Sequence, residues 1–519
     1  MPAVADNQNW PSQTELVIGL VGPVGIDLGE VFDELAHVLS AFEYECHDIH
    51  LSDQLRALDW DQELVEKPAD ERLWSYMTAG NRLRELWGRD DAFALLAINA
   101  ITIERQKVSG DRERPLERHA YVLRSLKRKE EADRLRDVYG SRFVQLSLYA
   151  PKEARLAHLR DRIQKSRVHP QPSTPVYSAE QLVQRDENES TDHGQQVRGL
   201  FHEGDFFVDV RRDLGKEITR IVELLFGHPN RTPTRDEAGM FHAVAASRRS
   251  AELGRQVGAA ICTHDGSVIA VGTNEVPRAG GGAYWEGDVP DGREFTKGHD
   301  TNDLRKAKIA QDLVDQLVED KLIADDARAR LTAIIATSAI DDLIEFVRAV
   351  HAEMAAITDA ARRGISVENT VLYVTTFPCH HCARHIVAAG VRRVVYVAPY
   401  AKSLAGELHG DAICVDPETH DPERREITFE PFVGVGPSRF LTLFEMPDRK
   451  DRTTGEVLPF EPANAVPRID EIEPLDMLAE TQPYVKRERR AFELLERVFE
   501  QEEAPRFVED DDAERVLPD

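Results

Sequence analysis

The sequence predicts an α/β protein with two main domains, an N-terminal domain built on a parallel sheet and a C-terminal domain with helices layered on a second sheet. Short apolar runs rich in Val and Ile alternate with longer charged segments, which is the pattern of alternating strands and helices. A polar, proline-containing stretch at 227–234 separates the two halves. The 519 residues are enough for two to four domains. We predict domains at 1–230 and 237–450 and a C-terminal extension at 451–519.

The N-terminal domain opens with an apolar strand at 16–22, a glycine-containing loop and a helix from Asp27 onward. A strand, a glycine loop and a helix start can present backbone amides to phosphate. The phosphate-loop pattern G-x-x-x-x-G-K-[ST] is not met, because Ile26 and Asp27 follow the last glycine. We expect a regulatory or nucleotide-sensing module; a tight turn alone also explains the glycines. The candidate nucleotide-binding residues are Gly19, Gly22 and Gly25.

Later segments continue the same alternation. Residues 142–148 and 206–210 are predicted strands, and 155–163 is a predicted charged helix. Residues 112–136 are dense in Arg and Lys. We interpret them as a solvated helical surface, with a docking face for RNA as the alternative.

The C-terminal domain carries a split motif, His351-Ala352-Glu353 followed by Pro378-Cys379-His380-His381-Cys382. This is the H-x-E…P-C-x-x-C signature of zinc-dependent deaminases. An imidazole and two thiolates are ligands that Zn²⁺ accepts, and three protein ligands leave a fourth position for water. The sequence therefore predicts zinc ligands at His351, Cys379 and Cys382, with Glu353 as the catalytic proton carrier.

The local patterns place this motif at the starts of two helices. An Ala-rich helix is predicted at 349–361, strands at 371–376 and 393–398, and a helix that begins near Pro378 between those strands. Cys379 and Cys382 are three residues apart and share a helix face. The alternative is a purely structural zinc site, which usually has four protein ligands. The neighbouring histidines are expected at the surface or behind the ligands; they are His380, His381 and His385.

These motifs resemble the deoxycytidylate deaminase family. Residues 247–261 are similar to the family's opening helix and first strand, and 271–277 resembles its Gly-Tyr-Asn-Gly-x-Pro loop. By that resemblance Asn274 binds the nucleotide sugar. The whole chain resembles the bacterial anti-phage deoxycytidine nucleotide deaminases of the AvcD type. The similar stretches are 344–353, 375–383, 398–404 and 431–440.

The resemblance implies a P-loop kinase-like N-terminal domain, a three-layer cytidine-deaminase-like C-terminal domain and conversion of dCTP and dCMP to dUTP and dUMP. It also implies depletion of dCTP during phage infection, a small inhibitory non-coding RNA and a homo-oligomer. Glu353 is expected to pass a proton from water to N3 of cytosine and then to the departing amine. Lys402 is a candidate for the substrate phosphates, with a solvated lysine as the alternative.

The composition limits the kinds of partner that the protein is expected to bind. A net charge of −28 opposes general binding of nucleic acid. Five cysteines, two of them expected ligands, fit a reducing cytoplasm, and neither a signal peptide nor a membrane-spanning apolar run is evident. Three other readings stay open: an RNA or DNA base editor, a bifunctional salvage enzyme with an active nucleotide kinase, and a zinc scaffold without catalysis. A nucleotide at the glycine loop is a further candidate partner.

Two segments extend the predicted deaminase core. Residues 301–345 are predicted to form a helical insertion that covers the active site or builds an oligomer contact. Within the C-terminal extension, 484–503 is a predicted charged helix and 509–512 belongs to an acidic tail.

Overall fold

The computed structural model describes residues 15–167, 177–187, 197–338, 340, 343–400, 403–417, 424–468, 484–501 and 504–507. The chain forms two compact units. Unit 1 takes its residues from Met1–Thr232 and Val433–Asp519, and unit 2 from Pro233–Phe432. Each unit is built on its own sheet.

Strands and helices alternate along both units. The strands are β1 (Leu16–Val21), β2 (Glu45–His50), β3 (Leu58–Asp59), β4 (His119–Arg124), β5 (Phe143–Tyr149), β6 (Phe206–Asp209), β7 (Gly258–Cys262), β8 (Val268–Thr273), β9 (Val371–Thr376), β10 (Arg393–Ala398), β11 (Ile413–Val415), β12 (Ile427–Pro431), β13 (Gly434–Val435) and β14 (Arg506–Phe507). The helices are α1 (Leu28–Ser40), α2 (Ala69–Trp87), α3 (Ala92–Ser109), α4 (Lys129–Tyr139), α5 (Lys152–Ser166), α6 (Ala179–Glu187), α7 (Val197–Phe201), α8 (Leu214–Leu225), α9 (Arg235–Ser247), α10 (Thr301–Glu319), α11 (Arg328–Ala336), α12 (Ala352–Arg362), α13 (His380–Ala388), α14 (Ala405–Leu408), α15 (Phe440–Leu443) and α16 (Tyr484–Phe499).

The sheet of unit 1 has the strand order β13-β6-β5-β1-β4-β2. Every pairing from β6 to β2 is parallel, and β13 is antiparallel to β6. Side chains of β1 alternate between two cores, as the two-residue period of a strand requires. Val17 and Val21 face the core that contains α3 and α16, whereas Leu16, Ile18 and Leu20 face the core that contains α1 and α8. The predicted parallel sheet is therefore present, and helices cover both of its faces.

Two sequence-based interpretations of unit 1 differ from the structure. Residues 112–136 do not form one solvated helical surface, because they contain β4, which is buried between β1 and β2. Residues after Val433 return to unit 1, whereas the predicted second domain extended to residue 450. The cause is strand pairing: β13 adds to β6, and the N–H of Gly436 donates to the carbonyl oxygen of Asp205 at 2.7 Å.

The C-terminal helix α16 is fastened to unit 1 by a buried charge cluster. The guanidinium of Arg105 on α3 lies 2.6 Å from the carboxylate of Glu15 and 2.7 Å from that of Glu488 on α16. The hydroxyl of Tyr484 also donates to Glu15. Burial would raise the pKa of Glu15, but Arg105 and these hydrogen bonds hold it below its usual value. Removing one partner of such a cluster leaves an uncompensated buried charge, which costs about 3–5 kcal/mol.

The sheet of unit 2 has the order β11-β12-β10-β9-β7-β8. Strand β7 is antiparallel to β8 and β9, and the strands from β9 to β11 are parallel. Leu372 and Val374 pack on the face that carries α12 and α13. Tyr373 points the other way and donates its hydroxyl to Asp236 on α9. Helices therefore cover both faces, as a three-layer domain requires.

The strands predicted at 371–376 and 393–398 coincide with β9 and β10. The predicted insertion contributes α10 and α11 between β8 and α12. None of the helices in the described ranges is both long and apolar enough to cross a membrane.

Candidate active site

Two helix starts in unit 2 bring the predicted metal ligands together. His351 is the N-cap of α12, and backbone hydrogen bonds of 3.1 and 3.3 Å between Val350 and Glu275 hold it there. Cys379 is the N-cap of α13, and Cys382 lies in the first turn of that helix. The Nδ1 atom of His351 lies 3.3 Å from Sγ of Cys379 and 3.4 Å from Sγ of Cys382. Residues separated by up to 31 positions thus converge on one point.

A glycine lets α12 approach the sheet closely enough for this convergence. A Cβ atom at Gly272 on β8 would lie 2.0 Å from the carbonyl oxygen of Ala352 and 2.5 Å from the backbone nitrogen of Ala356. Ala352, Ala356 and Ala360 form the fully buried face of the helix. Small residues on both elements therefore set the depth of the first turn of α12, which carries the site.

The three donors fit Zn²⁺. With Zn–N near 2.0 Å and Zn–S near 2.3 Å, tetrahedral geometry separates nitrogen and sulfur ligands by about 3.5 Å. The observed nitrogen–sulfur distances of 3.3 and 3.4 Å are close to that value. One imidazole and two thiols leave a coordination position for water or substrate, as in catalytic zinc sites.

The protein itself favours one of the two thiolates that a metal needs, whereas the hydrogen bond to Cys379 and burial raise the pKa of Cys382. Hydrogen bonds from Cys382 and His351 lower the pKa of Cys379 to about 3, against the opposing effect of burial. The hydrogen bond to Cys379 in turn raises the pKa of His351 to about 9. A metal binds neutral imidazole, so metal binding at pH 7 releases the proton from His351.

Glu353 is placed to carry a proton. It lies in the first turn of α12, two residues after His351, and only 4% of it is exposed. Burial raises the pKa of its carboxyl, and the positive charge of His351 opposes that rise. A buried carboxyl beside a metal site can both accept and return a proton.

The other two residues predicted to bind substrate are Asn274 and Lys402. The side chain of Asn274 is buried, donates to the carbonyl oxygen of Arg255 at 2.8 Å and accepts from the N–H of Val257 at 2.7 Å. It therefore fixes the loop before β7, and its contact with a sugar stays a prediction. Lys402 lies outside the described residues.

The histidines beside the cysteines are separate from the group of three ligands. His380 and His381 group with Glu345, and Nε2 of His381 lies 3.6 Å from that carboxylate. His385 is exposed on α13. That they lie at the surface or behind the ligands, and do not bind the metal, stays a prediction.

Sequence reasoning missed two acidic residues near the site. Glu275 is buried and accepts the N–H groups of Ala251 and Val276, so it shapes the loop after β8. Glu252 is close enough to His351 to help raise the pKa of that histidine. Glu275 lies within the loop at 271–277, where the family pattern has glycine, so the motif gave no sign of a buried carboxylate. Glu252 belongs to no short motif, so only the folded chain shows its position.

Comparison with known proteins supports the assignment of unit 2. Residues 233–398 match the model of the cytidine and deoxycytidylate deaminase zinc-binding region. A probable deoxycytidylate deaminase of Drosophila melanogaster is 27% identical over 217 residues, which are 41% of this chain and 85% of the relative. Deoxycytidylate deaminase of Enterobacteria phage T2 is 44% identical over 57 residues, 11% of this chain and 30% of the relative. The crystal structure of dCMP deaminase from cyanophage S-TIM5 with dCMP and dUMP has a TM-score of 0.23 and 19% identity, covering 39% of this chain and 99% of that structure.

The motif, the convergent donors and the matches to the family model and the sequence relatives define unit 2 as an enzyme domain, a hydrolase that acts on cyclic amidines. Within that class, it is a cytidine and deoxycytidylate deaminase domain. The matched residues end at 398, and they begin after the first segment of unit 1.

Proposed function

We propose that unit 2 catalyses zinc-dependent hydrolytic deamination of deoxycytidine nucleotides, converting dCMP to dUMP and dCTP to dUTP with release of ammonia. The convergence of His351, Cys379 and Cys382 at two helix starts, with Glu353 buried beside them, carries this proposal. The deoxycytidylate deaminases among the relatives support the choice of base and sugar.

The reaction replaces the C4 amino group of cytosine with the oxygen of water. When bound, Zn²⁺ supplies a water whose pKa is lowered toward neutrality. Glu353 would accept one proton of the attacking water at its carboxylate and deliver it to N3 of the base while the water oxygen bonds to C4. It would then carry the second proton of that water to the C4 amine, so that the C4–N bond breaks and ammonia leaves. The buried carboxyl suits this relay because burial makes the protonated form accessible.

The finer parts of the proposal rest on the resemblance of the whole chain to anti-phage deaminases. In that scheme the enzyme depletes dCTP in the cytoplasm, works as a homo-oligomer, and is held inactive by a small non-coding RNA. Unit 1 is then a regulatory module. The net charge of −28 further favours free nucleotides over polynucleotides as substrates.

The direct experiment measures ammonia and product from dCMP, dCTP, CTP and dAMP. The purified full chain is assayed before and after ribonuclease treatment, with its zinc content measured in parallel. Glu353→Gln is expected to lower kcat by about 10²–10⁴-fold because the proton relay is lost. Its zinc content is expected to be unchanged, since the ligands remain.

Glu345→Gln is the matched control, because Glu345 is an exposed carboxylate next to His381. Its kcat is expected to stay at the level of the unaltered protein. Preference for dAMP, or full activity of Glu353→Gln, would contradict the proposal.

A further inference from the structure

Unit 1 contains a cavity of about 350 Å³ at the carboxyl ends of β1, β2 and β4. The strand order reverses at β1, with β4 and β2 on one side and β5 and β6 on the other. In open α/β sheets, ligands bind in the crevice at such a reversal. The volume lies in the range of small-molecule sites. The cavity is therefore in the place and of the size expected for a ligand of unit 1.

The glycine loop forms one wall, but the protein already uses its polar groups. The buried carboxylate of Asp186 accepts the N–H of Val24 at 2.6 Å and the ammonium of Lys127 at 2.7 Å. His158 hydrogen-bonds to the carbonyl oxygen of Gly25 at 2.8 Å. A phosphate on the loop would meet the negative charge of Asp186. The loop therefore shapes the wall without offering the usual phosphate cradle.

The glycines of the loop have different roles. Gly25 has a φ of +98°, and a Cβ there would lie 2.7 Å from the carbonyl oxygen of Arg155. Gly22 also lines the cavity. Gly19, predicted with them as nucleotide-binding, lies inside β1, where a Cβ would lie 2.6 Å from Leu126. It allows close packing of the sheet and is away from the cavity lining.

The positive charge lies on other parts of the cavity lining. Arg72 from α2, Arg124 from the end of β4 and Arg162 from α5 all line the cavity. Burial lowers the pKa of His50 to about 4, opposed by Asp53 and reinforced by these three arginines. The three cations therefore act on one point.

Two of these arginines already pair with carboxylates, since Arg124 lies 2.6 Å from Asp48 and Arg72 lies 3.0 Å from Asp53. Part of the hydrogen-bonding capacity of the cluster remains for an anion. The Nε atom of Arg124 is buried and has no hydrogen-bond partner in the described structure.

Arg162 has no carboxylate within 4 Å among the described residues. Burial lowers the pKa of its guanidinium, the nearby charge of Arg72 lowers it further, and Asp27 opposes both effects. Clustered guanidinium groups are the preferred protein ligands of phosphate. An anion between them would relieve their mutual repulsion.

A third wall of the cavity is apolar. Tyr76, Met77 and Phe93 line it. The hydroxyl of Tyr76 is tied to Glu66 at 2.7 Å, and the guanidinium of Arg84 lies over the ring of Phe93. These contacts fix the aromatic rings in place. Fixed aromatic and thioether side chains provide a surface for a flat ring.

We propose that this cavity binds a nucleoside monophosphate, with its phosphate on Arg72, Arg124 and Arg162 and its base against Tyr76, Met77 and Phe93. The three arginines form a single cluster, which suits a ligand with one phosphate group. This site is separate from the deaminase chemistry of unit 2 and does not depend on it.

Calorimetric titration of the zinc-loaded full chain, in the Glu353→Gln background, tests the proposal. The probes are AMP, dAMP, GMP, dGMP, dTMP and inorganic phosphate. We expect at least one monophosphate to bind with a Kd below about 1 mM. We also expect Arg162→Gln to weaken that binding at least about tenfold, since a charge-assisted contact is lost. Hydrogen exchange should slow at 22–29 and 121–127 when this monophosphate binds.

Arg160→Gln is the matched control, because Arg160 is exposed on the same helix, pairs with Glu180 and does not line the cavity. Its Kd should match that of the parent. Arg72→Gln provides a second variant, and melting temperatures confirm that each variant is folded.

Three results would overturn the proposal. They are absence of binding by every monophosphate, exchange protection confined to unit 2, and an unchanged Kd in both Arg162→Gln and Arg72→Gln. Inorganic phosphate that binds as tightly as the nucleotides would overturn the role of the apolar wall.

Discussion

The deaminase site of unit 2 and the cavity of unit 1 are both built at the ends of strands and helices. They differ in how far apart their residues lie in the sequence. His351 and Glu353 share one helix turn, and Cys379 and Cys382 share another. The cavity draws its arginines from α2, β4 and α5, spread over residues 72–162. A site that holds a metal needs fixed donors at short spacing. A site that recognises a larger anion can take its cations from anywhere that the fold brings them.

The largest effect is expected from a variant that loses the metal of unit 2 and leaves unit 1 unchanged. Cys379→Ser should abolish stoichiometric zinc binding and lower activity by more than about a hundredfold, because loss of a ligand exceeds the effect of losing a supporting hydrogen bond. Zinc content by mass spectrometry and ammonia release measure both.

Cys414→Ser is the matched control, because Cys414 is half-buried on β11 outside the group of ligands. Full zinc content in Cys379→Ser would show that the donor set is wrong.

The next effect is confined to unit 1. Arg105→Met should lower the free energy of unfolding of unit 1 by about 3–5 kcal/mol, since Glu15 and Glu488 would remain buried without their cation. Denaturant unfolding of the full chain, followed alongside zinc content, separates this loss from any change in unit 2. Lys107→Met, on the exposed side of the same helix, should change stability by less than about 0.5 kcal/mol. Equal losses in the two variants would contradict the role of the cluster.

A smaller effect is expected from a variant that tests how the sheet positions the zinc site. Gly272→Ala should destabilise unit 2 by about 1–3 kcal/mol, because the added methyl group would overlap the backbone of α12. Zinc affinity should fall with stability, since α12 carries His351. Gly254→Ala is the control, because a Cβ there meets open space. A Gly272→Ala protein with unaltered melting temperature would show that α12 can move away without cost.

A last effect concerns the proton released by His351. Its pKa of about 9 means that the imidazole is protonated at pH 7 before metal binds. Zinc affinity should therefore rise by at least about tenfold per pH unit from pH 7 to pH 9, because His351 must release its proton and the Cys382 thiol, whose pKa is raised, must release one as well. Calorimetry in buffers of different ionisation enthalpy counts the protons. An affinity that falls over this range would mean that His351 binds no metal.

The sequence by itself determined the chemistry of unit 2, because that chemistry depends on residue types at short spacing. The motif around His351 and Cys379 specifies the donors, and β-branched runs specify β9 and β10 almost residue for residue. The Ala-rich segment after His351 likewise predicts α12, since its small side chains form one buried face. Local physics is sufficient for such features.

Only the tertiary structure decided what depends on distant partners. The return of β13 to the sheet of unit 1 follows from pairing with β6, more than 200 residues earlier. The side chain of Asn274 is occupied by backbone groups that no motif indicates. The basic stretch at 112–136 contains the buried strand β4, because its apolar residues pair with β1 and β2. Arg124 at the end of this strand lines the cavity. Burial and long-range pairing, which periodicity does not encode, set these outcomes.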